Sequence, residues 1–332
     1  MSIIDDDILV TDSHTPKRPP RRSATPKPPK PPKSPKPPRR PPRLPRAQPP
    51  LTTTQILARG ALALVAPLLL GFVLNLMVLS HVQHLVAQQK LENSFRQQLS
   101  DGTAPVSEGT VDNVLLSDGD PVAVIDIPSI GLHEVVVEGT ASGTLTNGPG
   151  HRRDTVLPGQ AGVSVLMARS GAYGGPFSRI QELAPGEEFT VITGQGEQTY
   201  SVIGVRYAGD PAPPALKSGQ SRLILETARG PAYVPTGVAR VDAQLTSTPL
   251  PAGARQSTFA LLAPSDKELA TDTSTAWALV FALQFFVVAE LAAVWAYRRI
   301  GAQKTWIVGV PVLLLGGLFV ADQVTRLLPN LL

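Results

Sequence analysis

Few side chains in this sequence could do covalent chemistry, and none of them is a thiol. The 332 residues include no cysteine, which excludes thiolate nucleophiles, disulfides and thiolate-held zinc. Ser170 is a candidate nucleophile, but an alcohol attacks only when a neighbouring base takes its proton, and no base is visible beside it. Thr227 is a second candidate. His133 in GLHEV and His151 in GPGH stand 18 residues apart without a clustered carboxylate, so they do not form a metal pair. His81 and His84 in HVQH share a helical face and read as an interfacial pair rather than as zinc ligands. The glycine-rich GQAG and GAYGG lack the spacing of a phosphate-binding loop. Neither a metal nor a cofactor is expected.

The stretch SRLILETARG, residues 221–230, alternates as a strand does. Successive side chains of a strand point to opposite faces. Glu226 and Ala228 therefore share one face, and Thr227 points to the other.

Several such strands follow one another from residue 120: VAVIDI, HEVVVEG, GVSVLMA, EFTVIT, TYSVIGVRY, RLILETA and GVARVDAQL, separated by Gly, Pro and Asn turns. Short strands at this spacing, with GQGEQ as a hairpin turn, predict an all-β barrel or sandwich over residues 120–247. A polar connector, 248–275, follows it, with LLAPSDKELA read as helical.

Three apolar runs flank this domain. Gly60–Ser80 holds 21 residues without a charge, enough to cross the hydrocarbon layer. The predicted spans are 57–81, 276–297 and 305–323, with a stalk and linker at 82–119 and a short loop at 298–304. Arg59 precedes the first run, and Arg298, Arg299 and Lys304 lie between the other two. By the positive-inside rule these mark the cytoplasmic face, so the expected protein is multi-pass in the plasma membrane with its barrel outside. Glu290, near the inner end of its run, is read as facing another helix or bonding Arg298 or Arg299.

Residues 1–56 are expected to be a disordered cytoplasmic tail. Of the chain's 30 Lys/Arg, 12 lie in residues 15–50 together with 16 prolines and no acid, leaving 18 basic against 26 acidic residues elsewhere. The positive charge thus belongs to the tail. Its expected partners are anionic inner-leaflet lipids, at about 1 kcal/mol per basic residue, or a cytosolic protein reading its P-x-x-P spacings. Specific nucleic-acid binding is not expected, because residues 15–50 have no aromatic residue to stack a base.

Taken together, VAVIDIPSIGLHEVVVEGT, GPGHRRDTVLPGQAG, ARSGAYGGPFSRIQELAPGEEFTV and RLILETA resemble a sortase domain, the cell-wall transpeptidase barrel of Gram-positive bacteria, in particular the actinobacterial class E type. The resemblance implies a closed eight-stranded barrel whose groove holds a Cys nucleophile, a His acid and an Arg for the oxyanion. Placed on this sequence, the His position holds Arg169, the Cys position holds Ala228, and the Arg appears as Arg240. The resemblance thus points to a degenerate site, with Arg169, Glu226, Ala228, Arg240, Tyr173 and Phe177 as groove candidates. Glu226 is expected to pair with Arg169 or Arg240; the alternative is a cationic pocket of two unpaired arginines. The implied function is non-catalytic binding or scaffolding of a peptide or protein at the cell envelope. Two alternatives are an active transpeptidase or hydrolase with a non-Cys nucleophile, and a structural subunit of a membrane complex.

Overall fold

The structure, a computed structural model, describes residues 52–109, 114–253, 255 and 257–332. The expected tail lies outside the described residues, apart from 52–56, which cap and begin the first helix. Thr52 is its N-cap: the Thr52 hydroxyl accepts from the Gln55 amide while the Gln55 side chain accepts from the Thr52 amide, a reciprocal capping box.

Eight strands close into a barrel: β1 Pro121–Ile127, β2 Leu132–Glu138, β3 Gly150–His151, β4 Gly162–Met167, β5 Glu188–Thr193, β6 Gly196–Arg206, β7 Ser221–Arg229 and β8 Gly237–Leu245. They are hydrogen-bonded in the order β1-β2-β3-β4-β7-β8-β6-β5. β2 with β3 and β4 with β7 are parallel. β3 has two residues and no periodicity, which is why the sequence showed seven strands. The GQGEQ hairpin forms, with Thr193 opposite Gly196. Ile125, Val136, Leu166, Leu223, Leu225 and Val241 fill the interior.

β1 and β2 read as apolar runs rather than alternating ones because their outer face is also covered. Helix α1 (Thr53–Leu74), a π turn (Asn75–Leu79) and α2 (Ser80–Ser100) form one helical stretch of 48 residues, and Phe95 of α2 packs on Val124 and Val135. The helix that extends the first span is thus docked on the barrel. The Gln88 amide donates to the carbonyls of Val135 (3.1 Å) and Asn147 (2.7 Å), and its oxygen accepts from the Val135 N–H at 2.7 Å. His84 lies buried with Nε2 2.9 Å from Glu134 Oε1, while His81 is exposed, so these histidines do not act as a pair.

Helices α3 (Ala276–Ile300) and α4 (Ala302–Arg326) outrun their predicted spans, and Gly301 alone replaces the predicted loop. Among the described residues, three helical stretches are long and apolar enough to cross a membrane. α1 meets α4 at glycines: a Cβ added to Gly71 would lie 2.9 Å from the Gly317 carbonyl carbon. Small residues permit this backbone approach. At the start of the π turn Asn75 Nδ2 donates to Thr325 Oγ1 at 3.1 Å, both residues fully buried. Glu290 forms no ion pair with Arg298 or Arg299 among the described residues; it lines an apolar cleft of about 510 Å³ with Gly60, Tyr297 and Trp306. The connector carries short 3-10 turns at Phe259–Leu261 and Pro264–Asp266 in place of the expected helix.

A groove on the outer face of β4 and β7

β4 and β7 run side by side, with Met167 opposite Glu226, and their outer faces build the site. Along β7, Leu223 and Leu225 face the barrel core, so Ile224, Glu226 and Ala228 face outward. Thr227 points inward as its parity requires, its hydroxyl donating to the Ala168 carbonyl at 2.9 Å in full burial. It is a core hydrogen-bond donor. The Ser170 hydroxyl bonds to no histidine among the described residues. His151 is buried between the Glu138 carboxylate at 2.8 Å and the Val156 carbonyl at 2.9 Å, and His133 lies 3.5 Å from Asp126 at the surface. No group of three or more His, Asp or Glu side chains gathers as a metal cage among the described residues.

Arg169 follows β4 and is 0% exposed. Its Nη2 donates to the Ser142 carbonyl (2.8 Å) and hydroxyl (2.7 Å), and its Nη1 donates to the Leu332 carbonyl at 3.0 Å. Its guanidinium lies 5.4 Å from the centre of the Tyr173 ring, and its Nε is buried without a hydrogen-bond partner among the described residues. Burial of the charge pulls its pKa down to about 10.

Ala228 is 2% exposed in an apolar seam of Leu145, Val165, Met167 and Val238. Two leucines from the far end of the chain, Leu331 and Leu332, fill that seam. The Ser170 N–H donates to the Leu331 carbonyl at 2.9 Å, and the Ser142 hydroxyl to the Leu328 carbonyl at 2.9 Å. Asn330 donates through Nδ2 to the carbonyls of Thr140 (2.8 Å) and Lys267 (2.9 Å), and through its N–H to Ala270 at 2.9 Å. Residues 327–332 thus pass from the end of α4 into the groove.

Arg240 serves a different cluster two residues along the same face. Its Nε donates to Glu226 Oε1 at 2.8 Å and its Nη2 to Glu268. Arg152 adds a bond to Asp154 at 2.7 Å and stands 3.9 Å from both Glu226 and Glu268. Two cations among three carboxylates leave one surplus negative charge. Burial, with the adjacent Glu268 second, pushes the Glu226 carboxyl up to about 7. Glu226 therefore pairs with Arg240 and not with Arg169. The pocket of two unpaired arginines does not form, because Arg240 is committed to carboxylates.

Tyr173, at a left-handed φ of 52°, is buried and donates its hydroxyl to Asp322 of α4 at 3.3 Å. Burial first and Asp322 second raise its pKa to about 12. It ties the groove loop to the helix. Phe177 packs fully buried in the barrel core, so it is corrected from groove residue to core residue. Sequence reasoning missed Ser142, Glu268, Arg152 and the 328–332 segment. For the last, a polar Asn330 directly after Pro329 in an otherwise apolar ending was the available signal.

Residues 125–234 match the sequence profile of the sortase domain. Sortase D of Bacillus subtilis (strain 168) is 30% identical over 118 residues, covering 35% of this chain and 58% of the relative's length. Among solved structures, the Clostridium perfringens sortase D5 transpeptidase shares 19% identity over 50% of this chain and 99% of its own, with a TM-score of 0.39. Sortase E from Streptomyces avermitilis shares 28% over 40% and 92%, with a TM-score of 0.34. The profile match falls within the closed eight-stranded barrel, and this chain carries a sortase-family domain joined to helices long enough to cross a membrane.

Proposed function

We propose that this protein is a membrane-anchored, extracytoplasmic sortase-like domain that binds or scaffolds a peptide or envelope protein and does not catalyse transpeptidation. The observation that carries this is the pair Ala228 and Arg169. The side chain at the nucleophile position is a methyl group, and the one at the acid position is a buried guanidinium spent on main-chain oxygens and the Ser142 hydroxyl. A guanidinium near pKa 10 is a poor proton donor at neutral pH, where general acids work best with a pKa close to the operating pH. It is a good donor to carbonyl oxygens. Together with the Ser170 N–H and the apolar seam, this suits the main chain of an apolar peptide.

The orientation follows from the charges. Gly60 lines one cleft with Tyr297 and Thr305, so Arg59, Arg298, Arg299 and Lys304 cluster at one membrane face, which we assign to the cytoplasm. The tail then reaches anionic lipid or a cytosolic partner from that side.

The test is a turnover assay on the full chain in lipid nanodiscs, with a sorting-signal peptide and an amine acceptor. It is run on the native protein and on Leu331→Asp/Leu332→Asp, which opens the groove. Neither protein should cleave or transfer the peptide. Cleavage that disappears in Ser170→Ala would overturn the proposal in favour of an alcohol nucleophile.

A further inference from the structure

We infer that the groove is a peptide site occupied in cis: residues 328–332 are its built-in ligand, and an apolar peptide from another molecule that adopts the same turn competes with them for Ala228, Ser170 and Arg169. This rests on reading the outer face of β4 and β7 as a binding groove.

The way the segment is held supports exchange. Leu331 and Leu332 lie in the seam of Leu145, Val165, Met167, Ala228 and Val238. The carbonyls of Leu328, Leu331 and Leu332 accept from the Ser142 hydroxyl, the Ser170 N–H and Arg169 Nη1. Apart from the Asn330 side chain, every polar contact is to main-chain oxygen or main-chain N–H. Residues 329–332 form a turn closed by the Leu332 N–H on the Pro329 carbonyl at 3.1 Å, and because the groove contacts its main chain and its consecutive apolar side chains, any segment that folds into the same turn can make these contacts.

The fit in cis is also incomplete. Among the described residues Arg169 Nε is buried without a hydrogen-bond partner, and a buried donor left unpaired is costly. An incoming peptide that brings one more oxygen acceptor, a carbonyl or a carboxylate, satisfies it and has an advantage over the internal segment. Position along the chain links the exchange to the membrane. The segment begins where α4 ends, and α4 is fastened to the groove loop by Tyr173–Asp322 and to the first helical stretch by Asn75–Thr325. Release of the segment therefore requires no break in the barrel, only a change at the end of α4.

The experiment measures binding of a fluorescein-labelled hexapeptide of the segment's own sequence, LLPNLL, to the full chain in nanodiscs. Leu331→Asp/Leu332→Asp should bind it at least 10-fold more tightly than the native protein. Asn330→Ala, which releases the clamp without touching the seam, should shift affinity in the same direction and serves if the double variant fails to fold. In parallel Ala228→Cys/Leu331→Cys, in a chain with no other cysteine, should form a disulfide and lose peptide binding once oxidised. Equal binding by native and variant proteins, with no disulfide formed, would overturn cis occupancy and leave the groove reading standing. Disulfide formation without peptide binding by any variant would show the seam to be fixed core, and both readings would fall.

Discussion

The Arg169 guanidinium donates to the carbonyl oxygen of Leu332 at 3.0 Å, a hydrogen bond between residues 163 positions apart. It joins the position where the family resemblance places a catalytic acid to a segment that follows the last membrane helix. Three further contacts close the same seam: Ser170 to Leu331, Ser142 to Leu328, and Ala228 against both leucines.

Arg169→Ala removes this donor and a buried charge together. A hydrogen bond from a charged group is worth about 1.5–3 kcal/mol, so protection of residues 328–332 against hydrogen exchange should fall at least 10-fold. The melting temperature should fall as well, because the substitution leaves a cavity and strips the buried Ser142 carbonyl and hydroxyl of their donor. Peptide-level exchange and thermal unfolding of the same variant separate the two effects.

Leu331→Ala should cost about 2 kcal/mol, the lower end for a fully buried leucine because a short segment can resettle. That corresponds to roughly 30-fold faster exchange at the Ser170 amide, its hydrogen-bond partner. Exchange in the β1–β2 hairpin, which the segment does not touch, should stay unchanged.

Glu226 makes stability depend on pH. Its folded pKa of about 7 exceeds the ordinary carboxyl value of 4.5. The folded state therefore binds more protons than the unfolded chain between these values. The contribution is fully present below about pH 4.5 and is lost as pH rises through 7. The melting temperature should fall by roughly 5 °C between pH 5 and pH 8, and Glu226→Gln should flatten the dependence.

Gly71→Leu tests the helix crossing. A Cβ there meets the Gly317 backbone at 2.9 Å, and inserting a larger side chain should cost about 1–3 kcal/mol. The Asn75–Thr325 bond, one turn away, should be lost with the crossing. The check is a lower melting temperature in nanodiscs together with faster exchange at residues 328–332.

Much of the barrel was legible because strand alternation and turn residues are local signals. Parity alone placed Thr227 inward and Ala228 outward, and motif spacing placed Arg169 and Arg240. β3 escaped because two residues carry no period. For Phe177 both packing and groove lining were open readings, because its motif fixes a loop without saying which way the ring turns. Docking of α2 left a mark, the continuous apolar runs of β1 and β2, that is interpretable only once Phe95 is seen to cover them. The Glu268 and Arg152 partners of the Glu226 pair, and the leucines against Ala228, come from segments far away in sequence. No local periodicity encodes such contacts: Arg152 follows β3, Glu268 comes from the connector, and the leucines arrive on the residues that trail α4.

Photocrosslinking in intact cells from a photoreactive residue at position 228, with exposed Glu197 as the control position, tests the central claim most directly. In the native chain the adducts should map to residues 328–332 of the same molecule. In Leu331→Asp/Leu332→Asp they should shift to an apolar segment of an envelope protein or peptide. Adducts from 228 that never involve residues 328–332, or that match those from 197, would contradict the account of a binding groove closed by its own chain.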